Sequence, residues 1–411
     1  MIFWDGDFSK RACFEELSPQ EIYKLGYAAA MSMGGKLAIS YEHDPGMIQL
    51  SRELVSGVLH AGGGVADFGE QPVFVSASGI RFYGLSGGFH ISKNGKQIEL
   101  LGNDGSAPEE EIIKKIKMFF EGEILPGKFV QEPISLHSYK LFYFRELLNN
   151  CRNEQIDFKL LIKVENPTIK SVLLSLMKDC GCSYTLCKYD EKEIARLVKT
   201  ESYNFGVYID ETGEKLMLCD NKGEYISEEK LEELRAIMVF EDNKTYVMAP
   251  DSPSVIEQLA ANISGKIIKT GNKSSITRLI MSEGGLQLML RQDPIGCVIR
   301  LADYLKTNRL TLKDAADSLP DFYMRERSFP GAKSVVDKIQ TMKKTEKSPD
   351  GLRFYERGGR VVVRELKGRN ELKLICEAAT AEMAEEILDE YTEIITKLQN
   401  ATADSPYKYI N

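Results

Sequence analysis

The sequence predicts an α/β chain: three consecutive mixed α/β domains followed by a small C-terminal α+β domain. Three observations lead there. The length of 411 residues suits two to four domains at roughly 100–200 residues each. Strand–helix–strand patterns, punctuated by helix caps and glycines, recur along the first three quarters of the chain. The last sixty or so residues change grammar, to a hairpin, another strand and one long helix.

The first unit opens with LSPQEIYKLGYAAAMSMGG. Ser18 at the cap, Pro19 at the first helical position and Glu21 reaching back make a capping box, and Gly34-Gly35 ends the helix. KLAISY (36–41) reads as a strand, PGMIQLSRELVSGVLHAGG as a helix with Leu50, Leu54, Val58 and Leu59 at helical spacing, and GVADFG as the next strand. The pattern repeats in FKLLIKVEN (158–166), PTIKSVLLSLMKDCG capped by Asn166, and CSYTLCK. GVYIDETGEKLMLCDNKGEYI (206–226) has three short alternating runs joined by polar turns, an antiparallel meander. A third unit starts at KTYVMAP (244–250), with a helix from Pro253 and a strand GKIIKT; DPIGCVIRLADYLKTN and TLKDAADSLP add helices. MKKTEKSPDG (342–351) is polar and ends in Pro-Asp-Gly, so it reads as a linker. Beyond it come LRFYERGGRVVVREL, a hairpin around Gly358-Gly359, then ELKLICEA and the helix TAEMAEEILDEYTEIITKLQ.

Composition excludes several classes. Net charge is −8 and the pI about 5.4, which argues against nucleic-acid binding, where a basic surface supplies the affinity. No apolar run reaches the roughly 18 residues that could span a bilayer, and the N-terminus, charged within five residues, does not read as a signal peptide. The expected place is a reducing cytoplasm. Cys180, Cys182 and Cys187 follow C-x-C-x4-C without a nearby fourth ligand, so they read as a helix end entering a buried strand rather than as a zinc site.

The order of LSPQEIYKLGYAAA, LVSGVLHAGGGVADFGEQPV, GGFHIS…NGK, VYID…KLMLCDNKGEYI, DPIGCVIRLADYL and VVVRELKGRNELKLICEA resembles the phosphohexomutase family, which includes phosphoglucomutase, phosphomannomutase and phosphoglucosamine mutase. The resemblance implies four domains, expected at 1–128, 129–241, 242–346 and 347–411, and transfer of a phosphate between the C1 and C6 oxygens of a hexose phosphate. It also implies four functional loops, each altered here. The phosphoserine loop T-A-S-H-N-P falls near 88–96, where Ile91-Ser92-Lys93-Asn94-Gly95-Lys96 runs almost straight into the Asn-Gly turn and leaves Ser92 as the one hydroxyl. The metal loop D-G-D-x-D-R becomes Asp210-Glu211-Thr212-Gly213-Glu214-Lys215. The sugar loop G-G-E-x-S-G becomes Gly284-Gly285-Leu286-Gln287-Leu288-Met289, with both sugar-binding side chains replaced by leucine. The phosphate loop R-P-S-G-T-E-P becomes Arg364-Glu365-Leu366-Lys367-Gly368-Arg369-Asn370, in register by the thirteen-position spacing from Arg364 to Glu377. The arginine of the helix-initiating G-x-D-x-R is also gone from Ser40-Tyr41-Glu42-His43-Asp44.

Phosphoryl transfer through a covalent intermediate needs an aligned nucleophile, and magnesium needs hard oxygen ligands in near-octahedral array. Both are depleted together with the sugar clamp. The expectation is a pseudoenzyme on this fold, with no catalytic residue, no metal ligand and no cofactor, acting by sugar-phosphate or other anion sensing or by protein contact. The expected anion site is Arg364, Lys367 and Arg369: residues 350–373 hold seven Lys/Arg against four Asp/Glu, and a single-sign patch in an acidic protein focuses anions. The alternative is an active intramolecular phosphotransferase with relocated groups, Ser92 as nucleophile and Asp210 with Glu214 holding Mg2+. No nucleic-acid or membrane partner is expected.

Overall fold

The computed structural model describes residues 2–3, 12–15, 17–92, 97–125, 127, 132–188, 190–248, 252–270, 273–330, 333–342, 346–348, 351–366 and 371–403. The chain forms two compact units: Met1–Ile226 with Leu288–Asp314, and Ser227–Gln287 with Ala315–Asn411.

The first unit begins β1 (Ile2–Phe3), β2 (Ala12–Glu15), α1 (Pro19–Met33), β3 (Lys36–Tyr41), α2 (Pro45–His60), β4 (Gly64–Glu70), α3 (Val73–Tyr83), β5 (Gly87–Ser92), β6 (Gln97–Gly102), α4 (Glu110–Glu121), β7 (Ile134–Ser135) and α5 (Tyr139–Asn149). Its sheet has the order β1-β2-β6-β5-β3-β4-β7. β3 is central and parallel to β4 and β5, while β6 returns antiparallel to β5. The capping box at Ser18–Glu21 forms as expected. Helices α1 and α2 cross at two glycines: a Cβ on Gly26 would lie 2.4 Å from the Leu54 carbonyl oxygen, and one on Gly57 2.0 Å from that of Tyr23. Only glycine permits that backbone approach. Strand alternation turns Leu37, Ile39, Phe89, Ile91, Ile98 and Leu100 into the core with these helices. The opposite face, carrying Ser40 and His90, lies on the side of α3.

A second sheet, ordered β11-β10-β8-β9, is built from β8 (Lys159–Val164), α6 (Pro167–Asp179), β9 (Ser183–Leu186), α7 (Glu191–Thr200), β10 (Phe205–Ile209) and β11 (Leu216–Cys219). Asn166 caps α6 as expected. Cys180 ends it, Gly181 takes φ +73°, and the Cys182 and Gly181 amides return to the Met177 and Lys178 carbonyls, a Schellman stop. The strand that follows is not buried: β9 is an edge strand with mostly exposed side chains. In the meander the third run shrinks to an isolated bridge, Cys219 to Tyr225.

The second unit starts with α8 (Glu228–Asn243), β12 (Thr245–Met248), α9 (Val255–Asn262), β13 (Lys266–Lys269) and α10 (Lys273–Ser282), β12 and β13 pairing in parallel. α11 (Leu286–Gln292), α12 (Pro294–Asn308) and α13 (Leu312–Asp317) follow in the chain, with residues 288–314 belonging to the first unit. The C-terminal sheet comprises β14 (Tyr323–Pro330), then, after α14 (Lys333–Met342), β15 (Glu346–Ser348), β16 (Gly351–Glu356), β17 (Gly359–Leu366) and β18 (Glu371–Ala378), with α15 (Ala381–Ala403) closing the chain. Its order is β14-β18-β17-β16-β15. Three differences from the sequence expectations stand out. The segment read as a linker contributes β15, since a short charged edge strand needs no buried face. The β16–β17 turn is centred on Arg357 (φ +49°) and Gly358 (φ +80°), one residue earlier than expected, because a two-residue turn of that hand needs positive φ at both central positions. β14 was not foreseen and joins this sheet from before the expected boundary at 346/347.

Candidate functional site

The carboxyl ends of β3, β4 and β5 gather polar side chains on one face. Ser40 and His90 are register partners, and both are fully buried. The Ser40 Oγ and His90 Nδ1 lie 2.9 Å apart, and His90 Nε2 faces Glu42 Oε1 at 4.0 Å. Two positions beyond His90 on the same face comes Ser92. It is the last residue of β5, opposite Gln97, and is only 5% exposed. Its hydroxyl is packed at a strand end rather than carried on a projecting loop. Lys93, Asn94, Gly95 and Lys96 lie outside the described residues.

Glu42 links this cluster to the metal-loop position. Asn166 donates from Nδ2 to Glu42 Oε1 at 2.6 Å and to the Glu211 carbonyl at 2.8 Å, while its Oδ1 accepts from the Thr168 and Ile169 amides at the start of α6. The His43 amide donates to Thr168 Oγ1 at 2.8 Å. The His43 ring pairs with Glu70, and that hydrogen bond raises its pKa. His137 pairs with Asp67 at 3.0 Å. Sequence reading missed Ser40, His90 and Asn166 as a connected set; a signal was present in the polar residues Ser40 and His90 near the carboxyl ends of two largely apolar strands.

The 210–215 turn closes on itself. Asp210 Oδ2 accepts from the Thr212 hydroxyl at 2.8 Å, and Oδ1 from the Lys215 amide at 3.1 Å. Thr212 Oγ1 in turn accepts from the Glu214 amide at 3.2 Å. Gly213 takes φ +73°, and a Cβ there would sit 2.6 Å from Ile169. This is an Asx-type turn. The residues present do not fit a magnesium site well: one Asp is retained, each of its oxygens already accepts from the turn, and a neutral hydroxyl stands at the second ligand position. Among the described residues no cluster of three or more His, Cys, Asp or Glu side chains is arranged to hold a metal.

The sugar-loop position is likewise turned to packing. Gly284 and Gly285 have φ of +93° and +75° and lead into α11. There Gln287 accepts from the Val247 amide at 3.0 Å and donates to the Val247 carbonyl at 2.7 Å, filling the hydrogen-bonding groups of β12. Leu288 is buried.

On the C-terminal sheet Arg364 lies in β17 opposite Lys373 of β18, whose Nζ pairs with Glu326 at 2.8 Å. Lys367 and Arg369 lie outside the described residues. Glu377 is not opposite Arg364. Its register partner is Arg360, and Arg360 Nη2 approaches Glu377 Oε2 to 2.8 Å with the guanidinium 2% exposed. Burial lowers the Arg360 pKa. Glu377 also accepts from the Ser254 amide at 2.9 Å and the Ser254 hydroxyl at 2.6 Å, before α9. Arg353, on the same sheet face, reaches Glu257 at 3.3 Å. In α8, Glu233 is fully buried. Lys230 Nζ stands 3.7 Å from it, and burial pushes its carboxyl up to about 7.

No protein-family model and no curated relative matches the sequence. Solved structures do match in fold. A phosphoglucomutase/phosphomannomutase family protein of Burkholderia thailandensis aligns with TM-score 0.75 at 15% identity, over 96% of this chain and 98% of that one. A Thermus thermophilus protein assigned as a phosphomannomutase aligns with TM-score 0.71 at 12% identity, over 94% and 98%. The N-acetylphosphoglucosamine mutase of Aspergillus fumigatus, solved with GlcNAc-6P and magnesium, aligns with TM-score 0.53 at 10% identity, over 98% and 96%. With each alignment running nearly end to end, the chain is built on the phosphohexomutase fold.

Proposed function

We infer that this phosphohexomutase-fold protein has lost mutase turnover and acts by binding, with a sugar phosphate or related small anion as ligand. The four-part division at 128, 241 and 346, expected from the resemblance, is part of this reading. The observation that carries it is the Asp210 turn. Each Asp210 oxygen accepts one hydrogen bond from the turn's own Thr212 or Lys215, and the second ligand position offers only the neutral Thr212 hydroxyl, so a cation would find one retained Asp where magnesium takes a set of hard anionic oxygens. The burial of Ser92 at the end of β5 supports the same reading. A hydroxyl that must receive and return a phosphoryl group needs in-line access to a donor.

The proposed anion site is Arg364 with Lys367 and Arg369. Arg364 lies directly opposite Lys373 across β17 and β18, which sets two cations on the strands that flank the Lys367–Arg369 segment. Arginine offers paired donors matched to phosphate. Isothermal titration with glucose 6-phosphate and with N-acetylglucosamine 6-phosphate tests this. Binding that falls at least tenfold in the Lys367→Ala, Arg369→Ala variant supports the site, and no heat for either compound with the wild type removes it. The competing reading, an active phosphotransferase, requires phosphate on Ser92 after incubation with a hexose bisphosphate and is settled by intact-mass measurement.

A further inference from the structure

We propose that the exposed aromatic surface formed by α3 and α5 is the centre of a two-fold interface with a second copy of this chain. Phe82 is 60% exposed, Tyr83 39%, Leu141 57% and Phe142 49%. The three rings form one surface: the Phe82 and Phe142 ring centroids are 6.1 Å apart, and Phe82 and Tyr83 meet edge to face at 5.0 Å, with Leu141 next to Phe142 on α5. Beneath them Tyr139 is buried and holds Ser78 of α3 by a 2.9 Å hydrogen bond, so the two helices present the rings from a fixed base.

The exposed part of these four side chains amounts to about 400 Å², the size of the largest apolar patch on an ordinary monomer, a patch that is often functional. It matches the apolar centre of a standard interface, which buries about 800 Å² per partner with a polar rim. Charge selects a second copy as the occupant. Arg145 and Glu146 are both exposed on α5 beside this patch, and neither forms an ion pair with another described residue. An antiparallel crossing of α5 on α5 about a two-fold axis near these positions brings each Arg145 against Glu146 of the second copy, twice by symmetry. A partner carrying a single sign of charge would oppose one of the two. This inference concerns a surface separate from the strand-end cluster and does not depend on whether turnover is lost.

Sedimentation velocity of the full chain tests it. The wild type is expected as a dimer at about 100 μM that dissociates towards about 1 μM, an ordinary affinity for a standard-sized contact. Phe82→Ser with Phe142→Ser should raise the dissociation constant at least tenfold with an unchanged melting temperature, since both rings are exposed. Arg145→Glu alone should weaken the dimer several-fold, and adding Glu146→Arg should restore it. A wild type that stays monomeric at about 100 μM overturns the proposal. So does a dimer that withstands the serine pair, or one indifferent to the charge reversal and its restoration, which remains readable if the serine variant fails to fold.

Discussion

At the carboxyl ends of β3–β5, polar groups are spent on one another: Ser40 on His90, Asn166 on Glu42 and Glu211, Asp210 on its own turn. On one face of the C-terminal sheet, cations accumulate instead. Arg353 and Arg360 are buried against Glu257 and Glu377, with Arg364 and Lys373 adjacent. The first region lies at the carboxyl ends of the central strands, and its polar groups are tied to one another by hydrogen bonds. The second pairs its cations with carboxylates, Arg353 with Glu257, Arg360 with Glu377 and Lys373 with Glu326. The contrast is between polar groups that satisfy one another at the strand ends and ion pairs at the C-terminal sheet.

The largest expected effect probes the charged sheet. Glu377→Gln leaves Arg360 buried without its counter-ion and should cost about 3–5 kcal/mol in urea unfolding. A loss below about 1 kcal/mol would mean the pair is wetter than its burial indicates.

Next comes Glu233. Its folded pKa of about 7 is above the ordinary carboxyl value, so the folded state holds the proton more tightly. Its contribution is intact below about pH 4.5 and is lost as pH rises through about 7. Glu233→Gln should therefore stabilise the protein by about 2–3 kcal/mol at pH 8 and change little at pH 4.5. Equal effects at both pH values would contradict the assignment.

A smaller effect is expected at Asn166. Asn166→Ala removes a helix cap and the tie between Glu42 and Glu211, which should cost about 1–2 kcal/mol. The smallest sharpens the Asp210 turn. Magnesium at about 10 mM should leave the melting temperature of the wild type and of Asp210→Asn equally unmoved, because a bound ion would raise only the former.

Much of this was legible in the sequence. The capping box at Ser18, the Asn166 cap and the strand KLAISY follow from local rules, and the order of framework segments pointed to the fold now seen. β14 was not legible, because YMRERSFP puts charged residues on both faces and so lacks the alternation of a half-buried strand. Nor was β15, whose charged edge reads like a linker. At the candidate site the missing loop residues could be read directly, but the replacement network could not. The Ser40–His90 pair depends on parallel register between strands about fifty residues apart, and the Arg360–Glu377 pair on the antiparallel register of β17 with β18, neither of which spacing along the chain supplies. No helix among the described residues is long and apolar enough to cross a membrane.

The most direct test is a turnover measurement on the full chain with glucose 1-phosphate, a catalytic amount of glucose 1,6-bisphosphate and magnesium, coupled to detection of glucose 6-phosphate. The expected result is no turnover above background, in the wild type or in Ser92→Ala. Saturable turnover above about 1 s⁻¹ that disappears in Ser92→Ala would contradict the account.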